Sequence, residues 1–112
     1  MKKTLSILLL FVVASGFSAL LKTSLNVTVR DETGNIVAGA SIKLYAKKED
    51  YEKETNPIAD ATTDEKGVAK FKELTNLSIF ILVRKDDKDN SGGGEQTKLE
   101  QGKINKITVI IQ

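Results

Sequence analysis

Neither cysteine nor histidine occurs anywhere in these 112 residues. Without cysteine there is no disulfide framework, no thiolate metal site, no thiol nucleophile and no lipid-modified cysteine of the lipoprotein kind. Without histidine the usual general base and the commonest metal ligand are both missing, which removes most hydrolase and zinc-site chemistries. Proline appears once, at Pro57, and aromatic residues are few: four phenylalanines and two tyrosines. At this length the chain makes one domain at most. A domain of this size hides roughly two-thirds of its unfolded surface, enough for one core without covalent staples.

Long apolar runs are also scarce, and the one present stands at the N-terminus. Met1-Lys2-Lys3-Thr4 is followed by the almost wholly apolar Leu5–Val13 and then by the small residues of Ala14-Ser15-Gly16-Phe17-Ser18-Ala19. A basic start, a short apolar run and a small-residue exit describe a secretory signal peptide. The run is short for a bilayer crossing. Residues 1–18 are therefore expected to be the signal peptide, with Gly16 and Ser18 suiting a cut after Ser18, and residues 19–112 the exported domain. Taking away Lys2 and Lys3 from the 17 basic residues leaves 15 against 15 acidic ones, a formal charge of zero. An even scatter of both signs argues against nucleic acid, which needs a concentrated basic footprint. No stable membrane span is expected after cleavage, and the expected address is periplasm, cell surface or extracellular space.

The exported part reads as all-β. Leu25, Val27 and Val29 alternate with Asn26, Thr28 and Arg30, and Ile42, Leu44 and Ala46 alternate with Ser41, Lys43 and Tyr45. Period two is the mark of a half-buried strand. Gly34 and Gly39 bracket Ile36-Val37, a pattern for a bulge or short edge pairing. The charged Lys47–Pro57 stretch fits a solvated excursion or a single helical turn, and reads as a loop because it is short and ends at Asn56-Pro57. Ile58–Thr63 is a weak strand, Val68–Lys72 another, and Ile79–Val83, five apolar residues in succession, a strand covered on both faces. Thr97–Glu100 and Ile104–Ile111 close the set. Asp31-x-x-Gly34 and Asp64-x-x-Gly67 share one turn chemistry: aspartate bonds backbone N–H groups, and glycine takes the positive φ. The expected core is Leu25, Val27, Val29, Ile42, Leu44, Ala69, Phe71, Ile79, Ile81, Val83, Ile107, Val109 and Ile111, with Leu74 plugging one end. Short strands at this spacing predict an antiparallel β-sandwich.

V-x-V-x-D-x-x-G-x-x-V-x-G-A-x-I-x-L-Y from Val27 to Tyr45, and T-T-D-x-x-G-x-A-x-F-x-x-L from Thr62 to Leu74, resemble the carboxypeptidase regulatory-like domains. The tail from Lys85 to Ile111 resembles small exported single-domain bacterial members of that group. The resemblance implies a prealbumin-like (transthyretin-like) seven-stranded Greek-key sandwich related in shape to Ig-like adhesin repeats. It does not carry over the family's enzymatic relatives. A metallocarboxypeptidase needs the zinc ligands of a separate catalytic domain. Transthyretin-like purine hydrolases need histidines and a terminal tyrosine-arginine-glycine-serine motif, whereas this chain ends Thr108-Val109-Ile110-Ile111-Gln112. Adhesin repeats often carry a lysine–asparagine isopeptide bond. For that bond this chain offers only Lys22 with Asn105, since its first strand has no lysine and the Ile79–Val83 strand no glutamate.

Three groups of residues are candidate sites. Asp87, Asp89, Ser91 and Glu95 crowd a glycine-rich loop, and Asp87-x-Asp89-x-Ser91-Gly92 follows the opening of an EF-hand calcium loop. Lys98 stands where the bidentate glutamate belongs, so the bland alternative is a solvated loop. Phe80 and Leu82 point away from a core formed by Ile79, Ile81 and Val83, and Ile110 does the same on the last strand, giving an apolar docking face unless the Lys47–Pro57 stretch covers it. Tyr51 is a lone aromatic for stacking on a sugar. The expectation is a non-enzymatic exported module binding a protein or glycan partner, without a cofactor other than calcium. The alternative is a self-associating envelope component using the Phe80, Leu82 and Ile110 face. An enzyme is a distant third, because no histidine or cysteine is present to activate a nucleophile.

Overall fold

The computed structural model describes residues 22–112, so the expected signal peptide lies outside the described residues. The strands are β1 (Thr23–Asp31), β2 (Ser41–Tyr45), β3 (Ala59–Thr62), β4 (Val68–Leu74), β5 (Ser78–Lys85), β6 (Lys88–Asp89), β7 (Gln96–Lys98) and β8 (Ile104–Ile111), with one helix, α1 (Lys48–Lys53), between β2 and β3. Two sheets face each other as an all-β sandwich. One sheet has the order β4–β1–β8 and the other β3–β2–β5–β6, with β7 also on β5.

The alternation of β1 explains its central place. Leu25, Val27 and Val29 are fully buried, and Val27 stands in register with Ala69 on one side and Ile107 on the other. The inward rows of β2 and β5 (Ile42 and Leu44, then Ile79, Ile81 and Val83) meet them from the opposite sheet, all fully buried. At roughly 1.5–3 kcal/mol for each large apolar side chain taken from water, this shared core is the main stabilising term. Ala40 and Leu99 join the core although the strand patterns do not mark them, while Ile107 is only half-buried.

Three expectations are corrected. There are eight strands rather than seven, because Lys88–Asp89 forms a two-residue strand on the edge of β5. The sheets are not purely antiparallel: β8 runs parallel to β1 from Ser24↔Ile104 to Asp31↔Ile111. The reason is that the chain leaves the five-stranded sheet after β7 and crosses at the end where β1 begins, with the Ser24 N–H bonded to the Lys103 carbonyl. β8 therefore starts beside the start of β1 and runs with it. The Lys47–Pro57 stretch is a helix, not a loop, over Lys48–Lys53. Glu49 and Asp50 lie in its first turn and Lys53 in its last, which suits the helix dipole. Glu49 pairs with Lys53 and Lys48 with Glu52 at i,i+4 spacing. Glu54 closes the helix at φ 53°, and the N–H groups of Glu54 and Thr55 bond the carbonyls of Tyr51 and Asp50.

Both aspartate–glycine turns form as the residues require. The Asp31 carboxylate accepts the Thr33 and Asn35 N–H groups, each at 3.0 Å, and the Thr33 hydroxyl. The Asp64 carboxylate accepts the N–H groups of Lys66 and Val68 at 2.9 and 3.1 Å. Gly67, at φ 75°, also sits against β1: a Cβ there would lie 3.0 Å from the Ile36 Cβ and 3.2 Å from the Val29 carbonyl. The Ile36-Val37 segment does pair briefly with β1, through an Arg30–Ile36 bridge.

These hydrogen bonds hold both carboxyls below the ordinary range, the Thr33 hydroxyl being the largest influence on Asp31 and the Val68 N–H on Asp64. A depressed folded pKa contributes stability above the unfolded value, and that contribution is lost as pH falls through the folded value. We expect the melting temperature to fall below about pH 4. The Asp31→Asn/Asp64→Asn double variant, followed by thermal melts from neutral to acid pH, should show a shallower fall. An unchanged slope would exclude these turns as the acid-sensitive elements.

Candidate functional site

The glycine-rich loop is an interrupted edge strand. β6 pairs with Lys85 and Arg84 of β5, and β7 with Phe80, Ile79 and Ser78. Between them Asn90, 1% exposed, substitutes a side chain for the missing backbone. Its amide oxygen accepts the Val83 N–H at 3.0 Å and its amide nitrogen donates to the Ile81 carbonyl at 2.8 Å. The Glu95 carbonyl accepts the Ile81 N–H at 2.8 Å. Residues 91–94 bulge outward so that this pairing can resume.

That geometry uses the residues proposed for calcium. Asp89 accepts the Ser91 N–H at 2.9 Å, and Ser91 holds its carboxyl below the ordinary range. Glu95 accepts the Gly92 N–H. Asp87 is exposed, and Asp87, Asp89, Ser91 and Glu95 do not converge as a ligand set. Among the described residues no group of three His, Cys, Asp or Glu side chains is placed to hold a metal ion. We expect Asn90→Ala to lower stability by about 2–4 kcal/mol, because it orphans a buried N–H and a buried carbonyl on β5. Urea denaturation checks this, and a loss typical of an exposed loop residue would exclude the strand-substituting role.

Of the apolar docking candidates, Phe80 and Leu82 share one face of the five-stranded sheet with Tyr51 against it, and Ile110 lies apart. Phe80 and Leu82 do face away from the core, but α1 lies over that face. Tyr51 stacks between Tyr45 and Phe80, with ring centroids 6.0 and 5.9 Å away. Leu82 is only 8% exposed. Tyr45 is fully buried beneath the same cover, which pushes its phenol pKa up. Tyr51 is itself half-buried and not displayed for a sugar; burial, with Glu95 nearby, pushes its phenol up. The helix end is clamped by Arg84, whose guanidinium reaches both Glu54 carboxylate oxygens at 2.9 and 3.3 Å. Ile110 stands on β8 in the other sheet, 47% exposed, with no share in this face. Tyr51→Ala should destabilise the fold by about 2–3 kcal/mol and increase binding of an apolar fluorescent dye. An unchanged dye signal would mean that Tyr51 does not cover Phe80 and Leu82.

Asn105 is engaged in the turn before β8. Its amide nitrogen donates to the carbonyls of Ser24 and Glu100, both at 3.1 Å, and its oxygen accepts the Glu100 N–H at 2.8 Å. It acts as a backbone clasp between the starts of β1 and β8.

What the fold leaves bare is the outer side of the three-stranded sheet. Its outward positions are Val68, Lys70 and Lys72 on β4, Ser24, Asn26, Thr28 and Arg30 on β1, and Ile104, Lys106, Thr108 and Ile110 on β8. They include four cations, and Glu73, exposed beside Lys72 where the β1–β4 register shifts, adds the one carboxylate at the margin. Lys70 and Lys106 flank Asn26 in one cross-strand row, roughly 10 Å apart across two strand spacings. Among the described residues Lys70, Lys72 and Lys106 make no ion pair. Even scatter along the sequence thus becomes segregation in space, a property that net charge does not report.

The same sheet has an open edge. Successive residues of a strand turn their amides to opposite sides. The Lys103 carbonyl faces β1, where it accepts the Ser24 N–H, while Gln112 faces the other way and exchanges both hydrogen bonds with Asp89 at 3.0 and 3.3 Å. Alternation therefore turns the amides of Ile104, Lys106, Thr108 and Ile110 away from β1. No strand pairs with them among the described residues. Beside this edge a cleft of about 280 Å³ lies between the Ser91–Gly94 loop and Thr108–Ile110.

No known family profile matches the chain. No curated protein matches it either. Among solved structures it is similar to the Bacillus anthracis TIE protein, with a TM-score of 0.59 and 20% sequence identity, over 79% of this chain and 16% of that one. At that identity the likeness concerns the fold alone, and this chain spans a small part of that neighbour's length.

Proposed function

We propose that this chain is an exported, non-enzymatic β-sandwich module of the carboxypeptidase regulatory-like, prealbumin-like type, binding a protein or glycan partner at the cell envelope. The observation that carries the binding reading is the asymmetry of the two sheets. α1 covers Tyr45, Phe80 and Leu82 on the five-stranded sheet, whereas the three-stranded sheet keeps a mainly cationic face and, among the described residues, a free edge. The family reading is supported by the two aspartate–glycine turns, which take the geometry their shared motif encodes. The export reading rests on residues 1–18. Self-association through Phe80, Leu82 and Ile110 has no common face to use.

The test is to express the chain in a secreting bacterial host and measure the intact mass and solution mass of the product. The expected product begins at Ala19 and is a monomer. Labelled with a fluorophore, it should bind envelope material saturably, and Lys70→Glu/Lys106→Glu should weaken that binding about threefold or more. Uncleaved chain in the cytoplasm would overturn the export reading. Non-saturable binding, or binding indifferent to the double variant, would overturn the assignment of this face.

A further inference from the structure

We propose that the free edge of β8 takes up an extended acidic polypeptide as an added antiparallel strand. This deepens the binding-module reading and rests on it. Strand addition supplies affinity through backbone hydrogen bonds and specificity through alternate side chains. Both ingredients are present on β8. The amides of Ile104, Lys106, Thr108 and Ile110 face outward from the sheet edge, in line with Gln112, which already pairs reciprocally with the Asp89 backbone. An incoming strand would continue the edge pairing that Asp89 begins. Its path past Thr108 and Ile110 runs along the cleft beside the glycine loop. Gly92 and Gly93 bring no side chain into it, and a Cβ at either would meet nothing within 4 Å.

The side-chain pattern selects the occupant. Residues opposite Lys106 and Thr108 would join the outer face that carries Arg30, Lys70 and Lys72, where carboxylates are attracted. Residues opposite Ile107 and Val109 would lie on the inner side, where Ile107 is still half-buried and gains cover from an apolar neighbour. The matching segment therefore alternates acidic and apolar residues. Lys106 in the middle of an edge strand discourages pairing with purely apolar strands, and a carboxylate opposite it removes that obstacle. A second copy is a poor occupant for the same reason: pairing two β8 edges would merge two cationic faces. An anionic glycan would use the charges and leave the edge amides idle.

The protein purified from the secreting host is titrated into a fluorescent, end-capped octapeptide alternating valine and glutamate, with anisotropy as the readout. Its valine–lysine counterpart should bind about tenfold more weakly or not at all. Peptides N-methylated at every second residue, made in both registers, should include one that loses binding. Thr108→Pro removes an outward N–H without touching the β1 ladder and should weaken binding about tenfold. Lys106→Glu should weaken it about threefold or more and flatten its salt dependence. If Thr108→Pro does not fold, the N-methylated peptides decide the question without altering the protein. Equal binding of both methylated registers, or full displacement by inorganic polyphosphate, would reduce the site to an electrostatic face and overturn the proposal. A dimer abolished by Thr108→Pro would assign the edge to a second copy and also overturn it. Absence of peptide binding while envelope binding persists would reject strand addition alone; loss of both would reject the module reading.

Discussion

The structure depends on the need of one buried strand for backbone partners on both sides. β5 carries five apolar residues in succession and lies at the middle of its sheet, so neither face nor edge is open to water over most of its length. A buried N–H or carbonyl left unpaired costs about 1–3 kcal/mol, and β5 presents a row of them. β2 satisfies one edge through an unbroken register from Ser41↔Arg84 to Tyr45↔Phe80. The other edge is satisfied in pieces, by β6, the Asn90 side chain, the Glu95 carbonyl and β7. A segment that looks like a free polar loop is thereby tied to the sheet. Two of its acidic side chains, Asp89 and Glu95, bond backbone N–H groups of the bulge.

The same strand accounts for the helix. The outward residues of β5 and β2 include Phe80, Leu82 and Tyr45, too much apolar surface to leave wet at roughly 25 cal/mol for each Å². α1 is only six residues long and has no buried residue of its own. It stays in place because Tyr51 fits between two rings and Arg84 holds Glu54 beyond its C-terminal end. An exposed ion pair contributes little alone, so the aromatic contact is the larger part of that attachment. With one sheet covered in this way, the sheet face left exposed belongs to the other.

On that second sheet, charge and topology combine. The acidic residues lie chiefly in turns, on the helix and in the glycine-rich loop, while the outer side of β4, β1 and β8 carries four cations against Glu73 alone. The parallel placement of β8 then leaves a strand edge bordering the cationic face. Neither property follows from composition.

The sequence by itself determined seven of the eight strands, the two turns and nearly the whole core. Those features depend on local rules: period-two alternation selects the inward row, and an aspartate followed three residues later by glycine selects a turn. The outward direction of Phe80 and Leu82 was legible by the same parity. In Lys48–Lys53 shortness and the nearby Pro57 pointed to a loop, whereas its i,i+4 charge pairs and the contact of Tyr51 with Tyr45 and Phe80 favour the helix. Tertiary structure alone decided that β8 lies parallel to β1, that Asn90 replaces a strand, and that a chain of evenly scattered charge acquires a cationic face. The physical reason is common to all three. Each depends on which distant backbone or side chain becomes a neighbour across the sandwich, and spacing along the chain does not encode that neighbour.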